Sequence, residues 1–94
     1  MATRRVTITA LNGGHARPVA ELVRLAMDHD DPVVVRKDTG AEADLRSVLA
    51  VMMLDLAEGD VVTFETADAP ASAALLDALS AVLDPKGTRH GSNC

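Results

Sequence analysis

The chain has 94 residues, enough for one domain around a single core and too few for two. Acidic residues outnumber basic ones 14 to 9, and the formal charge of -5 argues against non-specific contact with nucleic acid and for a soluble, self-repelling surface. No apolar run approaches the ~20 residues of a membrane span and the amino terminus lacks the apolar centre of a signal peptide, so a cytoplasmic protein without membrane insertion is expected.

Apolar residues make up 48% of the chain but aromatics only 1%, Phe64 alone, so the core has to be aliphatic. Arg4 to Ala10 alternates, with Val6 and Ile8 pointing one way and Thr7 and Thr9 the other, which predicts a half-buried strand. Leu11 to Gly14 reads as a loop. From Ala16 to Met27 the positions Val19, Leu22, Val23 and Ala26 recur at helical spacing, with Glu21, Arg24 and Asp28 opposite. Arg17, Glu21 and Arg24 lie three and four residues apart, a pattern that suits both an exposed ion-pair ladder and a surface that meets a partner.

Between that strand and that helix stand Asn12-Gly13-Gly14-His15-Ala16-Arg17-Pro18. The glycines permit close approach to the main chain, and Pro18 suits a first helical turn, where its missing N–H would have had no partner. The first N–H groups of a helix have no carbonyl four residues back, and the dipole adds positive charge there, so an anion beside His15 finds donors waiting. Arg17 adds a permanently charged planar fork. A neutral imidazole is a nucleophile near neutrality and can accept a phosphoryl group, whose charge such a site would stabilise without a metal or any other cofactor.

Gly13-Gly14-His15-Ala16-Arg17-Pro18 resembles the active-site signature of HPr, the histidine-containing phosphocarrier of the bacterial phosphoenolpyruvate-dependent sugar phosphotransferase system. The family pattern is Gly-aliphatic-His-X-Arg-Pro, and here the residue before the histidine is Gly14. The resemblance implies that His15 is the phosphoryl acceptor, through Nδ1 in the family. It further implies that Gly14, Ala16 and Arg17 hold the phosphate.

Downstream, His29-Asp30-Asp31-Pro32 should stop the first helix, because proline disfavours helical geometry just before it. His29 with two acids is a poor metal site, being a short run on one element. Val33 to Lys37 predicts a second strand, Asp38-Thr39-Gly40 a tight turn, and Ala41 to Ala43 a short third strand. Asp44 or its neighbourhood would cap a short helix from Arg46 to about Leu54. That helix is apolar nearly all round. One face has to enter the core, leaving Leu49, Met52 or Met53 as an exposed apolar patch of the kind that marks an interaction site.

Leu45 to Met52 is similar to the second conspicuous HPr segment, a short helix opened by a basic residue and a serine beside the histidine site. In many Gram-positive members that serine is phosphorylated, so the resemblance implies Ser47 as a regulatory site, with a serine kinase or phosphorylase as a further partner. A phosphate there would disturb docking of an acidic partner. Arg24, Arg46, Leu49 and Met52 are the candidate partner surface.

Leu56 to Asp60 reads as a turn, and Val61 to Ala67 as a fourth strand, central or beside the first, with Val62, Phe64 and Thr66 on one side. Asp68-Ala69-Pro70 should open the last helix with an acidic cap and a first-turn proline, and Leu75, Ala78, Leu79 and Val82 should form its buried stripe. Asp84-Pro85 stops it. Lys86 to Cys94 is polar and aperiodic, which predicts a disordered tail, and the lone Cys94 excludes an internal disulfide.

These readings give one α+β domain over residues 1–85 and a tail over 86–94, with element order βαββαβα. The HPr resemblance implies an open-faced β-sandwich, a four-stranded antiparallel sheet with three helices on one face. It also implies a monomeric phosphocarrier, rather than a stand-alone catalyst, between enzyme I and sugar-specific enzyme IIA domains. The alternative is a module of the same fold whose phosphorylation at His15 or Ser47 switches binding to a regulator or metabolic enzyme. A small hydrolase using His15 and Ser47 is disfavoured, since no orienting carboxylate stands out.

Overall fold

The computed structural model describes residues 1–9 and 16–85, Ala16 and Arg17 by backbone alone. Seven elements follow in the order expected: β1 (Ala2–Thr7), α1 (Ala16–Met27), β2 (Val33–Lys37), β3 (Glu42–Asp44), α2 (Val48–Met53), β4 (Val61–Thr66) and α3 (Ser72–Leu83). The loop expected at 11–14 and the tail expected at 86–94 lie outside the described residues.

Alternation decides the sheet. Val62, Phe64 and Thr66 of β4 are buried, and antiparallel pairing sets them beside inward residues of both neighbours: Val62 opposite Val6 of β1, Phe64 opposite Val35 of β2. Because the side-chain period is two, a slip of one residue would turn these residues to water. β4 therefore lies inside the sheet, and β3 closes the far edge on β2, for the order β1-β4-β2-β3. The other face is polar. There Arg36 of β2 forms ion pairs with Glu42 on one neighbouring strand and Glu65 on the other, and hydrogen bonds to these carboxylates raise its pKa, Glu65 contributing most.

The helices cover the inward face. α1 buries Val19, Leu22, Val23 and Ala26, the stripe read from its spacing, and packs against α3 and α2. Phe64, Ile8, Leu22, Leu45, Leu79 and Leu83 are the largest fully buried side chains, and each is worth about 1.5–3 kcal/mol of transfer free energy. Among the described residues, the buried hydroxyls all have acceptors. Thr66 Oγ1 donates to the Pro32 carbonyl at 2.9 Å, Ser72 Oγ to that of Ala67 at 2.6 Å, and Ser80 Oγ to that of Leu76 at 2.8 Å.

Several boundaries differ from expectation for local reasons. β1 begins at Ala2 because Ala2 and Thr3 pair with Thr66 and Glu65, and the strand ends at Thr7; Ala10, its expected last residue, lies outside the described residues. β3 spans 42–44 rather than 41–43. α2 starts at Val48, not Arg46: Ser47 is extended (φ -111°) and is itself the cap, while the Asp44 carboxylate accepts the Arg46 N–H at 2.9 Å and the Asp44 carbonyl the Ser47 N–H at 3.0 Å in a preceding turn. α3 starts at Ser72, with neither the acidic cap nor the first-turn proline expected at Asp68-Ala69-Pro70. Asp68 is drawn to the amino-terminal ammonium at 2.9 Å, and Ala71 precedes the helix without a side-chain cap. The α3 stripe is Leu75, Leu76, Leu79 and Leu83; Ala78 and Val82 are only partly buried.

Candidate functional site

His15 and Gly14 lie outside the described residues, as do the side chains of Ala16 and Arg17. What the fold does define is how their segment is held. On its amino-terminal side, the Thr9 N–H donates to the Leu83 carbonyl at 2.9 Å and its hydroxyl to Asp84 Oδ1 at 2.8 Å, so the exit from β1 is fastened to the end of α3. On its carboxy-terminal side, α1 begins at Ala16 with Arg17 and Pro18 in the first turn and is anchored by buried Val19 and Leu22. Residues 10–15 run between these two fixed points. The first turn of α1 carries no acidic side chain, so no carboxylate of that turn competes with an incoming anion for the N–H groups that a helix start leaves without an intrahelical carbonyl.

α2 packs beside α1 and is built to show an apolar surface. Val51 is buried, whereas Leu49 is 70% exposed, Met53 77% and Met52 46%, with Val48 beside them. This is the patch expected from an all-apolar helix, with Leu49, Met52 and Met53 all exposed and Val48 added to them. Both helix ends are fastened. Ser47 Oγ accepts the Ala50 N–H at 3.1 Å, and Lys37 of β2 donates from Nζ to the Leu54 carbonyl at 2.9 Å with Asp60 Oδ2 at 3.5 Å. The Lys37 clasp had no sequence signal, since it joins a strand to a helix end 17 residues away. Just beyond, Asp55 takes a left-handed backbone conformation (φ 55°).

The two candidate arginines differ. Arg24 is bonded to Glu21 and paired with Asp28 at 3.7 Å on the exposed side of α1; the Arg24 hydrogen bond holds the Glu21 carboxyl below its ordinary pKa, and Glu21 in turn raises that of Arg24. Arg46 reaches back to the turn after α1, donating to the carbonyls of His29 at 3.0 Å and Asp30 at 3.3 Å, so it also ties α2 to α1. His29 borders a shallow groove of about 260 Å³ between α1 and α3, and its Nε2 is buried without a hydrogen-bond partner. Among the described residues no three His, Cys, Asp or Glu converge on a point where a metal could sit. No helix of the described residues is long and apolar enough to cross a membrane.

Comparison with known proteins matches residues 2–84 to a family model described as PTS HPr component phosphorylation site. Among curated proteins, the chain is 43% identical over 60 residues to Phosphocarrier protein NPr of Escherichia coli (strain K12), covering 64% of this chain and 67% of that protein. It is 34% identical over 84 residues to Phosphocarrier protein HPr of Vibrio cholerae, covering 89% and 96%. Among solved structures, the phosphocarrier protein HPr from Bacillus anthracis superposes with a TM-score of 0.76 at 28% identity, covering 87% of this chain and 95% of that one.

Proposed function

Since the chain belongs to the HPr phosphocarrier family of the phosphotransferase system, we propose that it relays a phosphoryl group as phosphohistidine at His15, from enzyme I charged by phosphoenolpyruvate to an enzyme IIA domain. The observation that carries this reading is the family match over residues 2–84, within which His15-Ala16-Arg17-Pro18 falls at the entrance of α1. A neutral imidazole nitrogen of His15 attacks the phosphorus, the bond to the donor breaks, and the reverse sequence hands the group on. A relay needs a labile bond, so the N–H groups opening α1 and the Arg17 guanidinium serve to stabilise the dianion while leaving the phosphorus open to the next nucleophile. The apolar face of α2, together with Arg24 of α1 and Arg46 just before α2, supplies the surface on which both partners dock in turn. The carrier acts as a monomer in the cytoplasm, with residues 1–85 as the working domain and 86–94 as a tail, and Ser47 is the candidate for regulatory phosphorylation.

The test is incubation with phosphoenolpyruvate and enzyme I, followed by intact mass. One acid-labile phosphate, absent from His15→Ala, is expected; a folded chain that never takes phosphate would refute the relay. Arg17→Ala should slow transfer without lowering the unfolding midpoint.

A second reading draws on the names of the relatives. They divide between HPr and NPr, the latter including the 43% identical protein, so sugar delivery does not follow from family membership. On this reading the phosphorylation state of His15 or Ser47 sets binding to a regulator or metabolic enzyme. Binding that survives His15→Ala would favour it.

A further inference from the structure

The sequence has four methionines, and none of them is in the core: Met1 and Met27 are exposed, as are Met52 and Met53. The interior is filled instead by Val, Leu, Ile, Ala and Phe64. This division has a chemical consequence. Thioethers are the side chains most readily oxidised after thiols, and in many proteins their oxidation disrupts the core. Here it leaves the core untouched and falls on the surface, where Met52 and Met53 together make up the carboxy-terminal half of the α2 patch.

We propose that Met52 and Met53 form an oxidation-sensitive switch on the docking face of α2, with peroxides as the oxidant class; this rests on the reading of α2 as the partner surface. The step is balanced as an oxygen-atom transfer. The thioether sulfur attacks one oxygen of hydrogen peroxide, the O–O bond breaks, and the proton on the transferred oxygen passes to the departing hydroxide, so the sulfur is oxidised to the sulfoxide and the peroxide is reduced to water. Each sulfoxide replaces an apolar contact with a strong hydrogen-bond acceptor. A partner that covers the patch has to desolvate that acceptor without offering it a donor, so docking weakens while the fold persists. Both sulfurs sit on a six-residue helix whose ends are held by Ser47 and Lys37 rather than by the methionines, so the helix itself should survive the change. Methionine sulfoxide reductases reverse the reaction, one for each sulfur epimer, which makes it a switch rather than damage.

The experiment uses the full chain with Cys94→Ser, so that thiol chemistry does not contribute. The protein is treated with hydrogen peroxide, oxygen addition at each methionine is mapped by peptide mass, and the rate of phosphate transfer from phosphoenolpyruvate-charged enzyme I is measured below saturation. Expected is a loss of roughly tenfold or more in transfer, with an unchanged thermal midpoint and recovery on treatment with the two reductases. Met52→Leu/Met53→Leu in the same background, each rate taken relative to that variant's own untreated rate, should resist the oxidant, although Met1 and Met27 still oxidise. Full transfer by protein carrying sulfoxide at both positions, or equal loss in the double leucine variant, overturns the switch while leaving the relay intact. Failure of the untreated chain to accept phosphate at all overturns the relay and the switch with it.

Discussion

Replacing Ser47 with alanine probes how the short helix α2 is held at its start. α2 has six residues, and the N–H groups of Val48, Leu49 and Ala50 have no carbonyl inside the helix; the first regular bond is Val51 N–H to the Ser47 carbonyl at 3.0 Å. Ser47 Oγ satisfies Ala50 at 3.1 Å, and its loss should cost about 1 kcal/mol. Such a short helix cannot recover that loss by propagation, so the effect should concentrate in local opening of α2. Native-state hydrogen exchange at Ala50 and Val51 should then quicken about fivefold, with a small fall in the urea midpoint. Ser47→Asp keeps an acceptor at the same place and adds charge that the helix start favours, so its exchange should match the parent or slow. Unchanged exchange in Ser47→Ala, or equal acceleration in both variants, would refute the cap. The pair also separates two roles of one residue, because a docking defect seen only in Ser47→Asp would come from charge and not from a melted helix.

Phe64→Ala removes the one aromatic from the middle of the sheet and should cost about 3–5 kcal/mol, read from urea or thermal unfolding; a loss under 1 kcal/mol would mean that the inward face repacks freely. Asp55→Gly relieves a left-handed backbone at an exposed site and should raise stability by about 0.5 kcal/mol net of the added freedom of the unfolded chain, with a lower urea midpoint as the contrary result. Glu21 titrates below its ordinary value because Arg24 donates to it, so the folded pKa lies under the unfolded one. Its contribution to stability is present above the unfolded value and is lost as pH falls through the folded one. A carboxyl NMR titration should show the Glu21 midpoint moving up towards the ordinary range in Arg24→Gln.

The parts of this fold that a single stretch of chain determines could be read from that stretch. α1 has one apolar stripe and a polar back, so Val19, Leu22, Val23 and Ala26 could face only one way. β4 alternates, and its inward set follows. α3 is apolar on most sides, so spacing could not phase it; packing against β1 and α1 selected Leu76 and Leu83 over Ala78 and Val82. Its start was obscured by a distant residue, since the partner that removes Asp68 from a capping role is the amino terminus, 67 positions away. The candidate site divides in the same manner. The His15 motif and the apolar excess of α2 are local and visible, whereas the Lys37 clasp, the Arg46 tie to the turn after α1 and the Thr9 fastening to α3 all join segments far apart in sequence.

The place of β4 has a consequence for how the chain is made. β1 leaves the ribosome before the other strands, yet among the described residues its one strand neighbour is β4, which follows β2, β3 and two helices. Until Val61–Thr66 emerges, the β2–β3 hairpin is the only part of the sheet with its pairing available, and both β1 and the open side of β2 present unpaired edges. Completion of the sheet is thereby deferred until β4 is available and then proceeds by inserting one strand between two that are already waiting. A chain cut short before that strand keeps two unpaired edges and lacks Val62 and Phe64 from its interior, the combination that favours pairing with other chains.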